Sequence, residues 1–209
     1  SFFGPSTKGM AKRVERIDDA RRIPEYVARA FATAMNGRPG AVVLVLPEDM
    51  LAQTVNAYVG TGEMPQALPK LEPIEAWSDP GALRNLREML LKSERPLVIA
   101  GGGGWTVQAA QALQRFAENW KLPVGNAFRF QDTFDNHHPL YAGDVGIGIN
   151  PKLAARVKNS DLIIAIGPRL GEMTSGGYTL LEVPRPTQKL VHIHSSAEEL
   201  NRVYQADLA

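Results

Sequence analysis

Apolar residues follow two patterns along the first quarter of the chain. From Ile23 to Met35 they recur at helical spacing, and Pro24 lies near the start, where its missing N–H costs nothing. Asn36 and Gly37 follow and predict the end of this helix. The next apolar run, 41–46, is continuous and rich in β-branched residues. Such a run predicts a strand that is covered on both faces, as in a parallel sheet.

From residue 79 onward, predicted helices and strands alternate. Asp79 is a candidate helix cap, with Pro80 at the first helical position. The buried stripes of the first two helices are predicted to contain Leu83, Leu86, Met89 and Leu90, and then Val107, Ala110, Leu113, Ala117 and Trp120. Two further helices are predicted at Pro151–Asn159 and Ala197–Val203. The predicted strands are Leu97–Ala100, one that begins at Leu122–Val124, Leu162–Ile166 and Leu190–Ile193.

This alternation predicts an α/β fold, a doubly wound parallel sheet with helices on both faces, over about residues 75–209. Before it, residues 56–74 lack periodicity and contain several prolines and glycines, which is typical of an interdomain linker. Residues 1–55 are too few to bury a core alone. We therefore expect them to be the C-terminal tail of a truncated domain.

Charge and composition exclude several classes of function. Lys and Arg together number 23 against 22 for Asp and Glu, so the net charge of +1 indicates neither nucleic acid nor an anionic membrane as partner. No apolar run approaches the roughly 20 residues of a membrane helix. The absence of Cys excludes disulfides and Cys-ligated zinc, and we expect a cytoplasmic protein.

Two glycine-rich loops are candidate ligand sites. Gly101–Gly104 lies between a predicted strand and a predicted helix that Thr106 could cap, a place where phosphates approach backbone N–H groups. The alternative is a tight turn with no ligand. A dinucleotide fingerprint would need a third glycine where Thr106 stands and an acidic residue near Asn126, so a classical NAD site is disfavoured. A second loop contains Gly143, Gly146 and Gly148, and loop architecture explains it as well as ligand contact does.

Gly167-Pro168-Arg169 follows the strongest predicted strand, and Arg169 is either a clamp for an anionic ligand or an ordinary surface residue. Four histidines raise the question of a metal, but no carboxylate stands at a matching spacing, and zinc is disfavoured. We interpret His192 as a hydrogen-bonded strand residue. The chain has no nucleophile elbow, P-loop or His-Glu-x-x-His helix, and we predict no catalytic residue and no metal ligand in it.

The sequence resembles thiamine diphosphate-dependent enzymes of the acetolactate synthase type. The first part is similar to the end of their pyrimidine-binding domain, at Phe2–Pro5, Lys12–Val14 and, most specifically, Gly37–Asp49. The rest is similar to their central domain, at Arg95–Gly103, His138–Leu140, Ser160–Gly167 and Lys189–Ile193. The resemblance covers nearly the whole chain.

The resemblance implies that the central domain holds FAD or ADP, or nothing. Its nucleotide-binding positions fall on Gly102, Gly103, Gly104, Gly167 and Arg169. Where the flavin-binding members carry a His, an acidic residue, a basic residue and an Asp, this chain has Gly148, Gly171, Met173 and His194. Each difference removes a polar contact, so FAD, ADP and a cleft without either ligand all stay open.

The resemblance also implies a parent enzyme that decarboxylates a 2-oxo acid and transfers or protonates the two-carbon unit, as a transferase or lyase. Thiamine diphosphate and Mg²⁺ would bind outside this chain, with the parent's catalytic domains as partners in a homodimer or homotetramer. The segment Gly143–Gly146 has Val145 where a diphosphate-binding Gly-Asp-Gly has glycine, so we expect the chain alone to be inactive. The alternatives are a stand-alone, non-catalytic nucleotide-binding or regulatory module and a structural spacer that has lost its ligand.

Overall fold

The structure is a computed structural model that describes residues 10–55, 71–72, 74 and 76–209. The chain separates into two compact units between Ala76 and Trp77. Most of the linker predicted at 56–74 lies outside the described residues, so the predicted domain limits stay predictions. None of the helices in these ranges is long and apolar enough to cross a membrane.

The first unit contains a small parallel sheet with a helix against it. Strand β1 (Arg13–Arg16) pairs with β2 (Val42–Val45), helix α1 (Ile23–Met35) contacts β2, and the one-turn helix α2 (Glu48–Leu51) follows. Helix α1 has the predicted limits. Strand β2 is half-buried throughout, so the prediction of a strand covered on both faces is wrong for the described part of the chain.

The second unit is the predicted doubly wound sheet. Its helices are α3 (Pro80–Lys92), α4 (Val107–Trp120) and α5 (Pro151–Asn159). Its strands are β3 (Pro96–Ala100), β4 (Val124–Ala127), β5 (Tyr141–Val145), β6 (Leu162–Ile166) and β7 (Lys189–Ile193). All neighbours are parallel, in the order β5-β4-β3-β6-β7. The α/β fold class is therefore confirmed.

The core of this sheet has two sides. Leu97 and Ile99 of β3 pack into one buried cluster, whereas Val98 and Ala100 pack into the other. Because side chains alternate along a strand, this division shows that both faces of the sheet are covered. It explains why the predicted strands are continuous apolar runs.

Helix starts follow the predicted caps. The carboxylate of Asp79 accepts from Ala82 N–H at 2.8 Å, and the hydroxyl of Thr106 accepts from Ala109 N–H at 3.1 Å. Leu83 is 51% exposed and Val107 is 69% exposed, so neither belongs to the buried stripe of its helix. Each of them lies in the first turn of its helix.

The helix predicted at Ala197–Val203 is wrong. The described backbone forms separate turns there, in which Glu199 N–H donates to Ser196 O and Leu200 N–H donates to Ala197 O. Asn201 then has a φ of 59°, and its side chain accepts from Ala206 N–H at 2.8 Å. A left-handed residue cannot continue a right-handed helix, and this one redirects the chain.

Candidate functional site

The loops after β3 and β6 meet where the strand order of the sheet reverses. Strands β3 and β6 are neighbours, and the chain leaves β3 toward β4 on one side and leaves β6 toward β7 on the other side. In doubly wound sheets, the crevice at the carboxyl ends of such a strand pair is where ligands bind. Gly101 N–H donates to Ile166 O at 3.1 Å, and Gly167 N–H donates to Ile193 O at 2.8 Å, which fixes both loops to neighbouring strands.

Gly102 and Gly167 pack against each other through their backbones. A Cβ atom on Gly102 would lie 1.9 Å from Gly167 O, and one on Gly167 would lie 2.3 Å from Gly101 O. Their φ angles of +76° and +84° also favour glycine. Loop packing alone therefore requires these two glycines.

Gly103 and Gly104 differ from these two because they face open space. A Cβ atom at either position would have no atom within 4 Å. Both residues precede α4, whose first turn is capped by Thr106. An anion can approach their backbone at the positive end of this helix. Of the predicted nucleotide-binding glycines, Gly103 and Gly104 are the two with open space at the Cβ position.

Arg169 lies in the loop after β6. Its side chain is exposed and covers Gly171, where a Cβ atom would lie 3.2 Å from Nε. The guanidinium lines a pocket of about 220 Å³, and we call it the Arg169 pocket. Its other polar and aromatic lining residues are Tyr178, His192, Glu199, Arg202 and Tyr204. None of the predicted glycines lines this pocket.

His192 supports the Arg169 loop from strand β7. Its ring is buried, and Nε2 lies 3.0 Å from Pro168 O. Since a carbonyl oxygen only accepts, Nε2 carries the proton. Burial lowers the pKa of His192, which favours the neutral ring. The interpretation of His192 as a hydrogen-bonded strand residue is confirmed.

Glu199 and Arg202 contribute a charged pair to the same pocket. Glu199 Oε1 and Arg202 Nη1 are 3.1 Å apart, and the side chains are 4% and 61% exposed. Both residues lie in the turns after β7, in the stretch that the sequence predicts as a helix. No spacing rule links these residues to Arg169, so their place in the pocket could not be predicted from the sequence.

The glycines near β5 have structural roles. Gly143 lies within β5, a strand that was not predicted from the sequence. Gly146 packs closely against Phe128, because a Cβ atom on Gly146 would lie 3.0 Å from the Cβ of Phe128. Asp144 is also in the strand, and its carboxylate accepts from the Tyr141 hydroxyl at 3.0 Å. Within the described ranges, no group of three or more His, Cys, Asp or Glu residues could hold a metal ion.

Comparison with known proteins identifies the second unit. Residues 83–209, more than half of the chain, match the family described as thiamine pyrophosphate enzyme, central domain. The chain belongs to this family. The predicted resemblance is thereby confirmed, and the second unit is the central domain of a thiamine pyrophosphate enzyme.

The relatives extend the similarity to nearly the whole chain. A probable acetolactate synthase large subunit of Methanocaldococcus jannaschii is 30% identical over 193 residues, which are 92% of this chain and 32% of the relative. A glyoxylate carboligase of Escherichia coli is 29% identical over 202 residues, 96% of this chain and 32% of the relative. The chain thus spans about a third of the length of the curated relatives it matches.

A solved structure supports the fold. It is described as a thiamin diphosphate-dependent enzyme from Mycobacterium smegmatis, with a TM-score of 0.66 and 21% sequence identity. The match covers 93% of this chain and 36% of that one. At this identity the likeness shows the shared fold.

Proposed function

We propose that the chain supplies the central domain of an enzyme that decarboxylates a 2-oxo acid and then transfers or protonates the two-carbon unit. The observation that carries this proposal is the family match over residues 83–209. The relatives named acetolactate synthase and glyoxylate carboligase favour transfer to a second carbonyl compound. Thiamine diphosphate, with Mg²⁺, would stabilise the negative charge that decarboxylation creates.

The described residues of this chain do not fit a thiamine diphosphate and Mg²⁺ site. Mg²⁺ prefers an octahedron of oxygen ligands shared with phosphates, and Asp144 offers one carboxylate that Tyr141 already contacts. We therefore assign the cofactor to the parent's catalytic domains, in a homodimer or homotetramer. The role proposed for this chain is structural support together with nucleotide binding.

We propose further that the cleft at Gly103 and Gly104 binds the phosphates of an ADP-like nucleotide weakly. The open glycines at the start of α4 support this, because they expose the backbone where a helix favours anions. FAD is a less suitable ligand. Gly148 and Gly171 have no side chain to contact it, and Nδ1 of His194 already accepts from Ser196 N–H at 3.0 Å.

A substitution at Gly103 tests the nucleotide cleft. Gly103→Leu places a side chain in the open space at the loop after β3, where a Cβ atom meets nothing within 4 Å. We expect ADP binding, measured by isothermal titration calorimetry, to weaken at least about tenfold, the loss of one hydrogen bond to a charged group. We expect FAD to bind more weakly than ADP, and flavin fluorescence measures FAD binding.

Ala155→Leu is the control, because Ala155 is an exposed residue of helix α5 and lies outside the loops after β3 and β6. The control separates a local block from a general effect of an added leucine. Equal ADP affinity in wild type and Gly103→Leu would contradict the cleft and leave Gly103 as a turn residue.

A further inference from the structure

The indole of Trp105 contacts both loops of the candidate cleft. Its Nε1–H donates to Gly101 O, in the loop after β3, at 2.7 Å. A Cβ atom on Gly167 would lie 3.5 Å from the same nitrogen, so the indole edge also lies against the loop after β6. The ring is half-buried and packs against the core cluster that contains Val98. The core therefore holds the ring in place while its polar edge faces the two loops.

The Gly101 carbonyl depends on this hydrogen bond. Gly101 is buried, and among the residues that the structure describes, the indole is the one donor to its oxygen. A buried carbonyl without a donor is unfavourable, and nearly all buried carbonyls in proteins are paired. Without the indole N–H, we expect the Gly101 peptide to turn and expose its oxygen to water. The path of the loop after β3 would change with it.

The same hydrogen bond closes a ring of chain around the open glycines. It joins Gly101 to Trp105, and the three residues between them are all glycine. A Cβ atom on Gly103 or Gly104 would meet nothing within 4 Å, so packing does not order these two residues. Glycine loses more conformational freedom on ordering than any other residue. A loop that is ordered before the ligand arrives loses less entropy on binding.

Trp105 also joins the glycine loop to α4. The next residue, Thr106, caps this helix, and its hydroxyl accepts from Ala109 N–H at 3.1 Å. Within the described part of the chain, the N–H groups of Gly103 and Gly104 have no hydrogen-bond partner. We propose that Trp105 is a positioning residue that orders this loop so that the two N–H groups meet the nucleotide phosphates, a role that rests on the proposed nucleotide cleft.

Trp105→Phe tests this role, because it keeps an aromatic ring and removes the N–H donor. We expect calorimetric titration to show that the variant binds ADP about two- to tenfold more weakly than wild type, the effect of one lost hydrogen bond. The binding entropy should become less favourable, since the loop is then ordered only when ADP binds. In the ligand-free variant, ¹⁵N relaxation should give lower order parameters for Gly103 and Gly104 than in wild type.

Ser93→Ala is the matched control. Ser93 Oγ donates to the Asp161 carboxylate at the amino ends of the same strands, so this substitution also removes one partly buried side-chain hydrogen bond. We expect it to lower the melting temperature but to leave the ADP affinity and the order parameters of the loop at their wild-type values. An equal loss of ADP affinity in Ser93→Ala and Trp105→Phe would show that Trp105 acts only through stability, and would overturn the proposal.

Tryptophan fluorescence gives a readout that a change in stability alone does not move. Trp120 lies at the other end of α4, about 20 Å from Trp105 at about 1.5 Å per residue. Trp77 is 88% exposed, so Trp77→Phe is a suitable background. We expect saturating ADP to change the emission of Trp77→Phe and to leave that of the double variant Trp77→Phe, Trp105→Phe unchanged. An equal change in both proteins would contradict the contact between Trp105 and the nucleotide loop.

The titrations separate this inference from the proposed nucleotide cleft. If the wild type binds ADP and Trp105→Phe binds it with equal affinity, the cleft stands and the role of Trp105 is wrong. If the wild type does not bind ADP, the proposed cleft is wrong, and the role of Trp105 in it is wrong as well.

Discussion

Two adjacent glycines in the loop after β3 meet different constraints. Gly102 contacts the backbone of Gly167, whereas Gly103 faces open space. We expect Gly102→Ala to destabilise the chain by at least about 2 kcal/mol, because its Cβ atom would overlap Gly167 O and force the backbone apart. Gly103→Ala should stay within about 0.5 kcal/mol of wild type.

Urea unfolding followed by circular dichroism measures both free energies of unfolding. Because the two substitutions add the same methyl group one residue apart, each is the control for the other. Similar losses in the two variants would contradict the contrast between packed and open glycines.

The glycine loops could be predicted from the sequence, but the surroundings of Arg169 could not. Gly101–Gly104 and Gly167 follow recognisable strands, and the rule that parallel strands end at one edge of the sheet brings them together. Glu199 and Arg202 line the Arg169 pocket because the turns after β7 place them there. Asn201 has a left-handed backbone conformation in these turns, and no glycine in the sequence indicates it. Their position depends on the path of the chain after β7.

At the scale of elements, Asp161 fixes the start of the central strand pair. Its carboxylate accepts from Ser93 Oγ, from Glu94 N–H at 2.7 Å and from Arg95 N–H at 3.0 Å, just before Pro96 pairs with Leu162. Burial by itself raises the pKa of Asp161, but these hydrogen bonds outweigh it and hold the pKa below its usual value. The native state therefore favours the carboxylate.

We expect Asp161→Asn to lower the free energy of unfolding by about 1–3 kcal/mol at neutral pH. An asparagine side chain has one acceptor oxygen instead of two for the donors from Ser93, Glu94 and Arg95. A lowered native pKa contributes stability above the usual aspartate pKa of about 4, and that stability is lost as the pH falls through the native pKa. The difference between variant and wild type should thus shrink as the pH falls below the usual aspartate pKa of about 4.

Urea titrations across this pH range provide the measurement. Asp132→Asn is the control, because Asp132 is an exposed aspartate on the same unit. A constant difference between Asp161→Asn and wild type at all pH values would show that the charge has no part in the effect.

Elements with local signals were predicted well, and those without them were missed. Helices α1 and α5 have the predicted limits, since proline and polar residues mark their starts. Strand β5 contains Gly143 and Asp144, both poor strand formers, and it exists because β4 pairs with it. Only the folded sheet supplies that partner.

At the scale of the whole molecule, we expect the 209 residues to be catalytically inactive. The family resemblance implies a Gly-Asp-Gly segment for Mg²⁺ and the diphosphate, and this sequence contains none. The nearest match, Gly143–Gly146, has Val145 at the third position and lies mainly in a strand. The chemistry would reside in domains that this chain does not contain.

Incubation with pyruvate, Mg²⁺ and thiamine diphosphate should yield neither CO₂ nor acetolactate above a blank without protein. A coupled assay for both products, with a full-length acetolactate synthase as positive control, makes the measurement. Turnover that persists after repeated purification would mean that residues of this chain hold the cofactor.

The strand order also bears on how fast the second unit folds. Strands β3, β4 and β5 are neighbours both in the sheet and along the chain, but β6 must return past them to pair residue 162 with residue 96. Closing the loop between residues 96 and 162 costs conformational entropy before the contacts between β3 and β6 can compensate for it. We expect a refolding rate typical of high contact order, with the junction of β3 and β6 among the last parts to form, so the candidate cleft would assemble late.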